Sequence, residues 1–563
     1  MSDSSAEQEA GAVIGIAFGN TTSSIAYTSA DGKAELIANE EGDRQIPTVL
    51  SYLDSDEFHG GEAKAQLVRN ASNTVAYFRD YLGKKYSEID PTNSHHSAHP
   101  IDADGVVSFK VVEKSGEEPS NISIGEITTR HLKRLRDSAA DFLGKEVTGA
   151  VVTVPTDFTE AQREALVAAA KGANLQILQT IHEPIAEALA YAAKENMQPE
   201  DRTILVVDIG GTRSDASVVS ARSGMYTILA TAHDYETGGV QLDQVLVDHF
   251  AQEFIKKHKS DPRENPRALA KLKLESETVK RTLSIAVTAS IGVDSLADGF
   301  DFHSSINRLR YEIRAQKVFD DIMKLAEQAV QKAELDLVEI DEVILAGGSS
   351  HTPKIAQRFR ALFPETTPIH APFTDAAALN PSELAARGAA LQAALISEFD
   401  VEDIDQSTHP AVTVAPHLSK SIGVVVVGAD GSEEFRALLP AQTAVPARRV
   451  AAFAAPAEGG DVVVKIVEGV SEIRKTIIEK KEEAVNGEGE VEDESEEEEE
   501  EEEEEIKTKH MKVDKLLAEA LLKGVEKGQK IEVTIQAAAD TSLNIAARIV
   551  GTQQGVRGVI AAP

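Results

Sequence analysis

Two short stretches of this chain share a pattern that few folds satisfy twice. From Val13 to Thr28 the sequence reads VIGIAFGNTTSSIAYT, and about 190 residues later, from Thr203 to Ser220, it reads TILVVDIGGTRSDASVVS. In each, two runs rich in β-branched and apolar residues flank a turn that combines glycine with hydroxyl or amide side chains. Such a turn joins two strands into a hairpin and aims backbone N–H groups outward, as a loop does when it cradles a phosphate. Two facing hairpins would clamp one phosphate chain from both sides. A third strand runs into glycines in EVILAGGSSHTPKIAQRF, where Val343 to Ala346 meets Gly347 and Gly348. A single such turn carries little weight, because paired glycines after strands often answer only to sterics. Three in one chain, with Asp208 in the strand before the second, could supply the backbone donors and the carboxylate that a magnesium nucleotide requires.

The segments between and after these turns have helical spacing. TDFTEAQREALVAAAKGANL opens on Thr156 and Asp157 and reaches a glycine stop at Gly172, PRALAKLKLESETVKRTL is a long charged helix, and NPSELAARGAALQAALI ends near Ser397. Strands alternating with helices imply an α/β domain over residues 13–398, preceded by a small polar tail over 1–12. Residues 399–412 lack periodicity and read as a linker. Beyond them, SIGVVVVGADGSEEFRALLP is a hairpin turning at Asp430-Gly431, VVVKIVEGVSEIRKTII is further strand, and KIEVTIQAAADTSLNIAARIV is a hairpin turning near Asp540. Residues 413–563 are therefore expected to form a small all-β domain.

Charge and composition remove several classes of function. Of the net charge of −36, about half is local, since residues 482–505 hold 17 acids and no base, ten of them the consecutive run Glu496 to Glu505. This acidic insertion between strands reads as a self-repelling solvated loop or as a docking site for a basic partner. An acidic body argues against direct binding of nucleic acid, whose affinity rests on Lys and Arg meeting phosphates. No basic region with an apolar run follows the start and no membrane-length apolar stretch occurs, so a cytoplasmic chain is expected. With no Cys, disulfides, thiolate zinc sites and a cysteine nucleophile are all excluded.

The blocks GIAFGNTTSSIA from Gly15, AVVTVPTDFTEAQREA from Ala150, IHEPIAEALAY from Ile181, VVDIGGTRSD from Val206, ETVKRTLS from Glu277, ILAGGSSHTPKI from Ile344 and LNPSELAARGAALQAA from Leu379 resemble, in order and spacing, the DnaK family of seventy-kilodalton heat-shock chaperones. The resemblance implies an actin-like two-lobed ATPase domain followed by a small all-β sandwich. It implies that ATP is bound by Gly19, Asn20 and Thr21 in the first loop and by Gly210, Gly211 and Thr212 in the second. Glu277, Lys280, Arg281 and Ser284 would hold adenine and ribose, with Gly347, Gly348, Ser349 and His351 closing over the nucleoside. By itself the Glu277 face is an ordinary surface charge cluster, with Glu277 pairing to Lys280 and Arg281 at helical spacing. Only the register of the other blocks turns it into a pocket.

The departures from the family fall at the phosphates. Ala17 stands where the family has the aspartate that organises magnesium and its waters, Asn20 replaces a threonine, and Arg79 replaces the catalytic lysine. A planar fork does not substitute for one compact, placed ammonium. Thr212 and Arg213 replace a glycine and a threonine, His351 an arginine and Ser382 an aspartate. Glu183 and Asp208 match family acids that act near Mg2+ through water. No catalytic residue is therefore expected, and binding of ATP without turnover is. The family's helical lid has no counterpart after the β domain, and FDVEDID offers only Val401 and Ile404 where the family linker is leucine-rich. These features are similar to the Ssz-type atypical branch known from fungi. That likeness implies a cytoplasmic subunit of the ribosome-associated complex in stable partnership with a J-domain co-chaperone of the zuotin type. The ribosome would be reached through that partner, which stimulates a ribosome-bound DnaK-family chaperone acting on nascent polypeptides. The alternative is an active DnaK-type ATPase acting directly on peptides.

Overall fold

The two glycine-turn stretches each begin a mixed sheet in the computed structural model, which describes residues 11–90, 96–194, 201–222, 224–399, 416–427, 433–456, 458–479 and 503–561. β1 (Ala12–Phe18), β2 (Thr22–Thr28) and β3 (Ala34–Ile37) form an antiparallel meander, and β4 (Val147–Val154) and β5 (Gln176–His182) extend it in parallel on the β1 side. β6 (Arg202–Ile209), β7 (Ser214–Arg222) and β8 (Met225–Asp234) form a second meander, which β9 (Glu342–Ala346) and β10 (Ile369–His370) extend in parallel on the β6 side. The orders β5-β4-β1-β2-β3 and β10-β9-β6-β7-β8 are the same topology, so the repeat in the sequence is a repeat of architecture. The central strands β4 and β6 are buried along nearly their whole length, which is why they read as continuous apolar runs rather than alternating ones. This is the two-lobed, actin-like α/β arrangement expected from the motif blocks.

Around the sheets run α1 (Ile124–Leu143), α2 (Glu160–Gly172), α3 (Glu183–Lys194), α4 (Gly239–His258), α5 (Pro266–Ile285) and α6 (Leu384–Ile396). The cap of α2 differs from the sequence expectation. Thr159 accepts from the Gln162 backbone while the Gln162 side chain returns the bond, so the helix begins after Thr156 and Asp157; Gly172 is its last residue rather than its stop. The lobes are joined by α3 and α6, which cross with almost no side chain between them. A Cβ on Gly388 would lie 1.8 Å from the Ala186 carbonyl oxygen, and one on Gly15 would lie 2.1 Å from the Ala390 nitrogen. Ala386, Ala389, Ala390 and Ala393 fill the rest of this seam, against Val151 and Ile181 on one side and Ala26 and Leu36 on the other. The buried His131 of α1 packs against the rings of Phe18 and Phe78, with Nε2 2.9 Å from the Ser23 hydroxyl.

The chain divides into compact units Met1–Thr413 and Val414–Pro563. The second contains β11 (Ser421–Val427), β12 (Glu433–Leu439), β13 (Ala447–Ala454), β14 (Gly460–Glu479), β15 (Glu503–Val525), β16 (Lys530–Ala537), β17 (Leu543–Ile549) and β18 (Gly555–Ile560). They form two four-stranded sheets, β12-β11-β14-β15 and β13-β16-β17-β18. Ile422, Val424, Leu439 and Ile466 of the first meet Val533, Ile535, Ile545 and Ile549 of the second in one core, giving a β-sandwich. Two sequence expectations need correction here. Glu503 to Glu505 belong to β15, paired with Ile477 to Glu479, so the acidic insertion ends earlier than residue 505. Ala12, assigned to the tail, already belongs to β1. Residues 1–10, the linker from 400 to 412, the Asp430-Gly431 turn and residues 480–502 lie outside the described residues.

Two outcomes follow. Gly388→Ala should destabilise the first unit by about 3 kcal/mol or more, since backbone must move to admit the methyl group. Gly125→Ala, on an open face of α1, should be neutral or stabilising by up to about 1 kcal/mol; paired denaturation curves separate the two. Burial holds His131 down to about 3, so the native state keeps it neutral. Its contribution is complete above an unfolded pKa near 6.5 and is lost as pH falls below that value, at up to about 1.4 kcal/mol per pH unit. His131→Asn should flatten the acid limb of stability between pH ~6.5 and ~4.5, read from denaturation midpoints at each pH.

Candidate functional site

The two repeated turns abut although their residues lie far apart in sequence. Asn20 Nδ2 donates to Thr212 Oγ1 at 3.0 Å across 192 residues of chain, and a Cβ on Gly211 would lie 2.4 Å from Thr21 Cγ2. Behind the second turn stands the start of α4, where the Gly239 and Val240 amides donate to the Gly210 and Gly211 carbonyls at 2.9 and 2.8 Å. A Cβ on Gly239 would meet Ser349 Oγ at 2.7 Å and Lys280 Nζ at 3.0 Å, and Ser349 Oγ donates to the Gly210 carbonyl at 2.9 Å. Gly347, at φ 79°, occupies the left-handed region and passes so close to β6 that a Cβ would lie 2.2 Å from Asp208 Oδ1. The structure thus gathers the Gly19, Gly210 and Gly347 turns and Lys280 around one cleft. The pair Gly238-Gly239 completes the set; in ETGGVQL it follows β8 and opens directly into α4, so it lacks the second strand that marks the two hairpin turns.

On α5, Lys280 donates to the Gly239 carbonyl and to Asp243, each at 2.9 Å, rather than pairing with Glu277. Glu277 instead receives Lys64 of the first lobe at 2.6 Å, a bond that spans 213 residues, together with the expected Arg281 at 2.5 Å. The Ser284 hydroxyl donates back to the Lys280 carbonyl at 3.3 Å, within its own helix. His351 Nε2 lies 3.0 Å from Asn380 Oδ1 and 3.2 Å from Ser382 Oγ, so the two substituted nucleoside-side positions touch each other. Gly348 begins the single helical turn Gly348–His351, which carries Ser349 inward.

The phosphate end is dominated by two guanidinium groups. Arg79, 4% exposed, uses Nη1 on the Phe18 carbonyl at 3.2 Å and on Glu183 Oε1 at 2.9 Å, while Nε and Nη2 hold Asp80 at 2.9 and 2.8 Å. Every nitrogen of the group that replaces the family lysine therefore has an acceptor within the protein. Glu183, the first residue of α3, is consequently not a free carboxylate beside a metal. Arg213, singled out in the sequence only as a substitution, donates from Nε to Asp215 at 2.8 Å and from Nη2 to Asp157 at 3.0 Å, and lies over the Tyr235 ring at 4.6 Å. Ligand atoms of Asp157, Asp215 and His233 lie within 4.8 Å of one another, close enough to suit a metal ion, but Arg213 bonds both carboxylates.

These pairings set the protonation of the acids. Burial pushes Asp208 up to about 8, with the charges of Glu183 and Asp215 adding to the rise. Burial also raises Glu183, against the pull of Arg79. Asp157 goes the other way: despite its burial, Arg213 and the Tyr235 hydroxyl hold it down to about 2. The residues fit a nucleoside polyphosphate. Gly211, Gly239 and Gly347 let the turns approach Thr21, Ser349 with Lys280, and Asp208 more closely than a Cβ would allow, and the buried Asn20 side chain keeps one polar atom, Oδ1, with no hydrogen-bond partner among the described residues. They fit Mg2+ poorly, because Ala17 offers no side-chain oxygen and Glu183 Oε1 accepts from Arg79.

Comparison with known proteins follows the same outline. The family model described as Hsp70 protein matches residues 13–416. A heat shock protein 70 homolog of Schizosaccharomyces pombe is 44% identical over 557 residues, covering 97% of this chain and 95% of that protein. The ribosome-associated complex subunit SSZ1 of Saccharomyces cerevisiae is 42% identical over 546 residues, covering 97% of this chain and 99% of that protein. Heat shock 70 kDa protein 14 of Danio rerio is 33% identical over 84% of this chain and 92% of its own length. With the doubled sheet, the facing glycine turns and a family match over most of its length, this chain belongs to the Hsp70 family of heat-shock proteins.

Proposed function

We propose that this chain is a non-catalytic, ATP-binding chaperone subunit of the ribosome-associated complex, an Ssz-type member of its family. The single observation that carries the reading is the Arg79 side chain, each of whose nitrogens already holds an acceptor of the protein, among Glu183, Asp80 and the Phe18 carbonyl. Phosphoryl transfer depends on placed donors and charge more than on covalent chemistry. Loss of one such donor costs about 10²- to 10³-fold in rate. In this reading ATP lies with its phosphates between Gly19, Asn20, Thr21 and Gly210, Gly211, Thr212. Its nucleoside lies toward Glu277, Lys280, Arg281 and Ser284, under Gly347, Gly348, Ser349 and His351. The nucleotide then serves as a structural ligand that joins the lobes.

The likeness to the yeast ribosome-associated complex subunit supports a cytoplasmic place at the ribosome. The partner is a J-domain co-chaperone of the zuotin type in a stable heterodimer, which reaches the ribosome and stimulates a ribosome-bound DnaK-family chaperone on nascent polypeptides. The edges of the second unit's β-sandwich suit an extended segment of such a partner, since strand addition gives affinity through main-chain bonds. An active ATPase is the competing reading, favoured by the retention of Glu183 and Asp208. Single-turnover incubation with labelled ATP separates them. The expected result is no release of phosphate above background, with or without a J-domain. Turnover accelerated by a J-domain and abolished by Asp208→Ala would establish the competitor.

A further inference from the structure

We infer that this chain binds its nucleoside triphosphate without a divalent cation, the Arg79 and Arg213 guanidinium groups standing where a metal's positive charge is needed in relatives that hydrolyse ATP. The inference rests on the reading of the cleft as a nucleotide site and deepens it. Mg2+ demands near-octahedral oxygen geometry and is held by one or two carboxylates together with the phosphates and several waters. Most of the carboxylates that could serve are already engaged by the protein. Position 17 is alanine, Glu183 Oε1 accepts from Arg79 at 2.9 Å, and Asp215 is bonded by Arg213 and lies 2.5 Å from His233 Nδ1. Asp157 is bonded by Arg213 and by the Tyr235 hydroxyl. Asp208 remains, beneath Gly347 and facing the same acids, together with the buried Glu187, whose Oε2 has no partner among the described residues; burial and the neighbouring acids raise both and so favour their protonated forms.

Beside Asp208 the charges of Arg79 and Arg213 oppose those of Glu183 and Asp215, so the two guanidinium groups offset part of the negative charge that would otherwise draw a dication in. The same two groups are favourable neighbours for a phosphate chain. A guanidinium is weakly hydrated, and its planar fork matches phosphate oxygens. Nη2 of Arg79, 2.8 Å from Asp80, has a second N–H to offer. Asn20 supplies a further donor. Its amide oxygen and nitrogen are interchangeable on hydrogen-bonding grounds. With the Thr212 hydroxyl donating to the oxygen, the amide NH2 turns to the position now held by the unpartnered, buried Oδ1. The direct Asn20–Thr212 bond also joins the two turns across the cleft, a role that a bridging metal-bound phosphate would otherwise carry.

The test is calorimetric titration of the nucleotide-stripped full-length protein with ATP, once in EDTA and once in excess Mg2+. The expected result is a Kd that differs by less than about threefold between the two buffers. A Kd at least tenfold weaker in EDTA overturns the inference while leaving the nucleotide site intact. Heat absent in both buffers removes the nucleotide reading and this inference with it. As a gain-of-dependence check, the double variant Ala17→Asp, Arg79→Lys should weaken in EDTA by about tenfold or more relative to Mg2+, and equal affinity in both buffers counts against the proposed role of Arg79. The wild-type comparison stands even if that variant fails to fold, which its melting curve reports.

Discussion

The ion pair between Arg79 and Glu183 is the constraint around which the cleft is arranged. Both groups are buried, and burying a charge pair is worthwhile only when the remaining donors and acceptors are satisfied. Here most are: Nη1 also donates to the Phe18 carbonyl at the end of β1, and Nε and Nη2 hold Asp80. The pair thereby fixes the end of β1, and with it the first turn, to the first residue of α3. Removing either partner would leave an uncompensated charge in the seam of the lobes. The interaction is therefore a structural tie as much as a substitution of catalytic chemistry.

That tie depends on the close crossing of α3 and α6. Because Gly388 and Gly15 carry no side chain, α6 lies directly on β1 and on α3, and the alanines around them fill the seam without levering it open. The start of α3, and so Glu183, is placed by this crossing. The second lobe is brought up by the opposing turn, through Asn20 and Thr212, and by Lys64 bonded to Glu277. Arg213 gathers Asp157 from the first lobe and Asp215 from the second. Three sets of direct side-chain bonds thus cross the cleft, each of them internal to the protein. A ligand that fills the remaining cradle adds to an arrangement already closed by its own polar groups.

Much of this was legible in the sequence, and the reasons are local. The two hairpins and the helices between them show in period and in turn chemistry, because each is specified by residues within about ten positions of one another. The glycine turns of the cleft were found for the same reason. The capping box of α2 is equally local, Thr159 with Gln162, but Thr156 and Asp157 offer competing cap residues three and two positions earlier. What did not show is what depends on tertiary distance. Lys280 was assigned to Glu277 by helical spacing, yet its ammonium is drawn to Asp243 and the Gly239 carbonyl on α4, a more buried pair of acceptors. Arg213 reads in the sequence as an odd residue in a turn with Asp215 two positions on, whereas its other partners lie 56 residues before it and 20 after. β18 is exposed along nearly all its length and so has no alternation for the eye to follow.

If the cleft holds ATP as a fixed structural ligand, the nucleotide that stays with the protein through gentle purification is the most direct record of it. Denaturing the purified full-length protein and identifying the released nucleotide by chromatography should yield intact ATP, close to one per chain. Recovery of ADP would mean that the cleft turns ATP over, and recovery of no nucleotide would mean that the bonds across it close an empty site.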